Sequence, residues 1–78
     1  MATEDNFFRM CTSRPPGKEN CDSRAAAMGL LEANIKKARD TGGSAGMLDN
    51  GRWELHYPNR AMMLNWVEDA EGDVQKFP

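Results

Sequence analysis

The sequence predicts a small two-layer α+β domain, with two main helices packed on a β-hairpin or small antiparallel sheet and a short N-terminal element. Three observations predict it. Apolar residues recur at helical spacing between Arg24 and Arg39, an Asn50-Gly51 pair sits between apolar neighbours, and a second apolar arc follows from Arg60 to about Glu71. The 78 residues form one domain, 1–78. A chain of that length buries only about 60% of its unfolded surface, so its large apolar side chains are needed by the core.

Thr3 to Cys11 opens the chain. Thr3 suits a helix N-cap and Glu4 and Asp5 suit a first turn, so the reading is a helix of about two turns; the Phe7-Phe8 pair would also fit a strand. Ser13-Arg14-Pro15-Pro16-Gly17-Lys18 reads as a loop, because two prolines remove backbone donors and glycine ends the run.

The next element is the most regular. With Asn20 or Asp22 as its cap, a helix from Arg24 to Arg39 places Ala27, Met28, Leu31, Ile35 and Ala38 on one face and Glu32, Lys36, Lys37 and Arg39 on the other. Basic residues gather in its last turn, where unpaired carbonyls favour cations. Thr41 to Gly46 follows the helix instead of preceding one, so its glycines read as a stop and bend, with Gly42 or Gly43 in the left-handed conformation, and not as a phosphate cradle.

Asn50-Gly51 then predicts a tight hairpin with Leu48 facing Trp53 and Asp49 facing Arg52. Trp53, Leu55 and Tyr57 alternate with Arg52, Glu54 and His56, giving one apolar face to be covered by Leu31, Ile35, Met63, Trp66 and Val67. Asn59 reads as the cap of a second helix whose apolar residues, Met62, Met63, Leu64, Trp66, Val67 and Ala70, span an arc of about 200°. That is wider than the ~100° stripe of an ordinary surface helix.

Chemistry-bearing patterns are sparse. Cys11, Cys21 and His56 lack the close paired spacings of a zinc site and any companion motif of a nucleophilic enzyme, so no metal, cofactor or catalytic residue is expected. A Cys11–Cys21 bridge would require an oxidising compartment. The apolar run Ala61 to Leu64 is far short of the about 20 residues of a membrane span, and the acidic start Met1 to Asp5 is unlike a secretory signal, so a cytoplasmic protein is expected.

Charge supplies the functional expectation. The net charge is −2, but residues 1–39 hold seven basic against five acidic residues and residues 40–78 hold three against seven. The surplus apolar arc, edged by Met62 and by the acids Glu68, Asp69, Glu71 and Asp73, reads as a docking face for a protein partner with a basic surface. The expected function is therefore a non-enzymatic protein-binding module, an inhibitor or adaptor that docks on a larger basic or nucleic-acid-handling host assembly, as phage or mobile-element accessory proteins do. The alternative is a small nucleic-acid-binding protein using Arg24, Lys36, Lys37 and Arg39, against which the sequence pI of 5.3 argues. A homodimer that buries the second helix on itself is a further alternative.

Overall fold

A computed structural model of the chain describes residues 7–76. One helix lies across one face of a six-stranded antiparallel sheet. In chain order the elements are β1 (Phe8–Ser13), β2 (Pro16–Cys21), α1 (Arg24–Asp40), β3 (Ser44–Met47), β4 (Trp53–His56), β5 (Met63–Asp69) and β6 (Val74–Gln75). The strands lie in the order β2-β1-β5-β4-β3, and β6 extends the β4 side of β5. The expected two-helix architecture is corrected: among the described residues there is one helix, and the segment read as the second is the central strand.

The reason lies in how β5 is buried. Met10 pairs with Val67 and Leu55 with Met63, which puts Met63, Asn65 and Val67 beneath α1. Leu64, Trp66 and Glu68 project to the other face, where Glu68 is also buried. A central strand lined on both faces loses its period-two signature and reads as a continuous apolar run, which spacing alone does not separate from a helix. Asn59 confirms the exclusion locally. Its φ of 62° is left-handed, whereas an N-cap needs extended backbone. Asn tolerates that region in a turn, here closed by Arg60 N–H donating to Tyr57 O at 3.3 Å.

The N-terminal helix is also corrected. Residues 1–6, which include its cap, lie outside the described residues, and Phe8 to Ser13 form a strand between β2 and β5. The expected loop beyond it contracts to Arg14-Pro15, joined by a cis peptide bond, and Pro16 opens an edge strand whose register pairs Ser13 with Pro16 and Phe8 with Cys21. Proline is tolerated there because an edge strand leaves one row of its backbone groups unpaired.

Helix α1 matches its sequence signature, since Ala27, Met28, Leu31, Ile35 and Ala38 are its buried residues. Its cap is Ser23, one residue beyond the expected Asp22; Ser23 Oγ accepts from Ala26 N–H at 3.0 Å. Leu31, Leu55 and Val67 are fully buried at the centre of the core. Each contributes about 1.5–3 kcal/mol. Two glycines end the helix for different reasons. Gly42, at φ 92°, supplies the left-handed residue. At Gly43 a Cβ would lie 1.8 Å from His56 O, so the chain leaves the helix in backbone contact with β4.

The β3–β4 hairpin exists with a different tip. Met47, not Leu48, faces Trp53, and a five-residue connection replaces the two-residue turn. Gly51 at φ 90° has the positive φ, while Asn50 spends its side chain accepting from Arg52 N–H at 2.9 Å. Trp53, Leu55 and Tyr57 face the core as expected; Trp66, expected to join them, lies on the opposite face.

Candidate functional site

The fold places one group of acids and one group of cations at opposite ends of the sheet. Phe8 pairs with Asp69 at one end of β1, next to the β5–β6 turn that carries Glu71 and Asp73. At the other end lie the β1–β2 turn with Arg14, the last turns of α1 with Lys37, and the β4–β5 connection with Arg60. Five strand steps, about 16 Å, separate them.

The cationic end contains an open pocket of about 520 Å³. Its exposed rim carries Arg14, Lys37 and Arg60, its walls carry Pro15, Tyr57, Pro58 and Met63, and Thr12, Asn34, Thr41 and Asn65 complete it. None of these lining residues is acidic. Arg60 lies over the Tyr57 ring at 5.6 Å, and Thr12 Oγ donates to Pro15 O at 2.7 Å across the β1–β2 turn. Lys37 and Arg14 form no ion pair among the described residues. The negative end of the α1 dipole also points here, but Thr41 Oγ donates to Lys37 O at 2.9 Å and Ala38 O at 3.1 Å. Against that capped end, equivalent to about half a charge, stand three full cations.

Two asparagines supply the polar interior. Asn65 is 1% exposed on β5, between Met63 and Val67, and Asn34 lies on the core-facing side of α1, between Leu31 and Ala38. Asn34 Nδ2 donates to Asn65 Oδ1 at 2.8 Å, fixing both amides. That leaves Asn65 Nδ2 buried without a hydrogen-bond partner. Asn34 Oδ1 has none among the described residues. Asn65 Nδ2 is thus a buried donor that no group of the described chain accepts from, and buried polar groups are seldom left so.

The helix-free face of the sheet holds a contrasting cluster. Glu68 Oε2 accepts from Arg9 Nε at 2.8 Å and pairs with Arg9 Nη2 at 2.7 Å, while Glu68 Oε1 accepts from Trp66 Nε1 at 3.0 Å. Lys18 Nζ stands 3.8 Å away, and the Arg52 guanidinium lies over the Trp66 ring at 4.8 Å. Burial pushes the Glu68 carboxyl upward, but hydrogen bonds from Trp66 and Arg9 and the charges of Arg9 and Lys18 outweigh it, so its pKa is lowered. Beside it burial, reinforced by the Glu68 charge, pushes the Cys11 thiol up to about 11. This cluster is satisfied internally and welds β1 to β5.

The expected protein-docking residues are not brought together. Met62 is 40% exposed just before β5, whereas Asp69 ends it, about 23 Å away along an extended strand. Glu68 is buried in its ion pair. Asp69 Oδ1 accepts from the N–H groups of Glu71 and Asp73, both at 2.9 Å, and so shapes the turn; Glu71 and Asp73 remain exposed on it. Of the four basic residues in the alternative set, Lys37 reaches the pocket. Arg24 ties α1 to β6 through Gln75 Oε1 and Lys76 O, Lys36 pairs with Asp40 at 2.6 Å, and Arg39 donates to Ala45 O and covers Trp53. Arg60, Asn34 and Asn65 were not singled out by the sequence. A signal for two of them is present in it: each asparagine interrupts an apolar stripe at core-facing spacing.

Cys11 and Cys21 are free thiols on opposite faces of the sheet, and no group of three metal-ligating side chains occurs among the described residues. Among the described residues no helix is long and apolar enough to cross a membrane. Compared with family models, curated proteins and solved structures, the chain matches none.

Proposed function

We propose that the protein is a non-enzymatic binding module whose partner presents phosphate groups, and that it holds a single-stranded nucleic acid at its cationic end. The observation that carries this reading is the pocket ringed by Arg14, Lys37 and Arg60 with no acidic residue in its lining. Arginine forks and a lysine ammonium suit phosphate oxygens, and a concave pocket of this size suits an unstacked nucleotide better than a duplex. The overall charge of −2 argues for a small footprint, and three phosphate contacts make one.

The test is fluorescence anisotropy of a short labelled single strand between 50 and 200 mM salt. Three neutralised phosphates give a logarithmic salt slope of about −2, a loss of about 20-fold in affinity over that range. Lys37→Ala flattens the slope by about 0.7, while Lys36→Ala, outside the pocket, leaves it unchanged. No binding at low salt, or a slope indifferent to Lys37, sinks the proposal.

A second reading is favoured by the exposed Glu71 and Asp73 at the opposite end, which would dock an inhibitor or adaptor on a basic protein partner. Reversing both to Lys abolishes capture of such a partner on this reading; capture that persists excludes that end as the docking face.

A further inference from the structure

We infer that the pocket takes the phosphorylated end of a single strand, a nucleotide whose phosphate is a terminal monoester, in preference to any position within the strand; this rests on the phosphate-binding reading above. Arg14, Lys37 and Arg60 line one pocket from the β1–β2 turn, from α1 and from the β4–β5 connection, and all three are exposed. No carboxylate lines it, and none of the three forms an ion pair among the described residues. Their charge is therefore left for a ligand to answer.

The volume limits how much of a strand can answer them. About 520 Å³ holds a group the size of one nucleotide and not a run of several. A nucleotide within a strand is flanked by two diesters of one negative charge each. A phosphorylated terminal nucleotide carries about −1.5 to −2 on its monoester at pH 7 and one further charge on the diester that joins it to the strand, about three in all. Within one nucleotide's length, the phosphorylated end is what matches three cations. The walls extend the match beyond phosphate, since Pro15, Tyr57, Pro58 and Met63 offer apolar surface that a bare inorganic ion leaves uncovered and a nucleoside covers. The charged and titratable groups of the lining are Arg14, Lys37, Tyr57 and Arg60, with no histidine or carboxylate among them. A change in attraction between pH 7.5 and pH 5 therefore comes from the ligand, whose second ionisation lies at about pH 6.

The experiment follows the anisotropy of thymidine strands of one length, labelled at one end and bearing at the other a 5′-phosphate, a 3′-phosphate or a hydroxyl, on the full chain, on Lys37→Ala and on Lys36→Ala. The expected result at pH 7.5 and low salt is that a phosphorylated strand binds about tenfold tighter than its hydroxyl counterpart, the effect of one added charge at contact distance from exposed cations. At pH 5 the monoester carries one charge like a diester, and the advantage falls below about twofold. Lys37→Ala lowers it to about threefold at pH 7.5, while Lys36→Ala, outside the pocket, leaves it unchanged. An advantage from either phosphate upholds the inference and identifies the bound end. Thymidine monophosphate binding tighter than any strand upholds the monoester and overturns the strand as its source, whereas inorganic phosphate competing as well as thymidine monophosphate overturns the nucleotide. Equal binding of phosphorylated and hydroxyl strands overturns the inference and leaves the cationic reading standing, as does an advantage that persists in full at pH 5 or in Lys37→Ala. No binding by any probe overturns both readings.

Discussion

Glu68→Leu separates the observed strand from the exposed helix that the spacing predicts. On a solvated helix end the substitution would change stability by no more than about 0.5 kcal/mol. In the sheet it removes the partner of Arg9, a residue 59 positions away in the chain, together with the acceptor of Trp66 Nε1. The side chains of Arg9 and Glu68 are 19% and 10% exposed, so the orphaned guanidinium recovers little water. Breaking a buried pair by removing one partner costs about 3–5 kcal/mol, and the residual access of Arg9 places this case near 3. A 78-residue domain has about 4–12 kcal/mol of stability to lose. Urea unfolding followed by Trp fluorescence should register the loss, accompanied by a fall in Tm of about 15 °C. Arg9→Met combined with Glu68→Leu should recover part of it, because no buried charge is then left alone. A single-variant loss below about 0.5 kcal/mol would refute the buried-cluster reasoning.

The same carboxyl sets an acid limit. Its folded pKa is depressed, so its contribution is present above the unfolded carboxylate range near 4.5 and is lost as pH falls through the folded value; urea midpoints should decline below about pH 4.5 and Glu68→Gln should flatten that decline. For Cys11, whose pKa rises from 9.0 to about 11, stability is full below pH 9 and falls as pH climbs toward 11, which alkaline unfolding of Cys11→Ala against the parent chain would show as a lost pH dependence. A thiol-reactive chromophore at pH 8 should modify the partly exposed Cys21 well before the buried Cys11. Gly43→Ala drives a Cβ to 1.8 Å from the His56 carbonyl and should destabilise by about 3 kcal/mol or more, whereas Gly29→Ala, with no atom within 4 Å of its Cβ on the exposed helix face, should stabilise by about 0.5–1 kcal/mol. Thermal melts of the two variants moving in the same direction would count against the traced path of the helix exit.

What the sequence reveals follows from where its signals are local. Helix α1 was legible because its five buried positions repeat within one element and its end is marked by Gly42, a residue suited to the left-handed geometry found there. The hairpin was legible in outline, but its register was not: Asn50 bonds Arg52 N–H and the chain takes a longer connection. The strands β1, β2 and β5 were hidden because their reason for existing is non-local. Arg9 and Glu68 look like unrelated surface charges until pairing sets them 2.7 Å apart. Leu64 and Trp66 look like one arc with Met63 and Val67 until the sheet separates them onto two faces. The pocket was hidden for the same reason, since Arg14, Lys37 and Arg60 come from three separate connections or helix turns that meet at one end of the sheet.

The two polar clusters differ in a way that assigns them different work. Every strong group around Glu68 is answered within the chain: Arg9 by a carboxylate, Trp66 Nε1 by an oxygen, the Glu68 charge by two cations. A cluster completed in that way holds strands together and asks nothing of a ligand. Asn65 is answered at Oδ1 and not at Nδ2, at a position where Leu or Val would remove the unpaired donor but also the acceptor of Asn34 Nδ2. An unmade hydrogen bond of a buried amide costs about 1–3 kcal/mol, a large share of what so small a domain has. Departures from local consistency concentrate at sites that are complete only when something binds. On the proposed reading the cationic end is where a ligand would be held, and the Arg9–Glu68 cluster fastens β1 to β5.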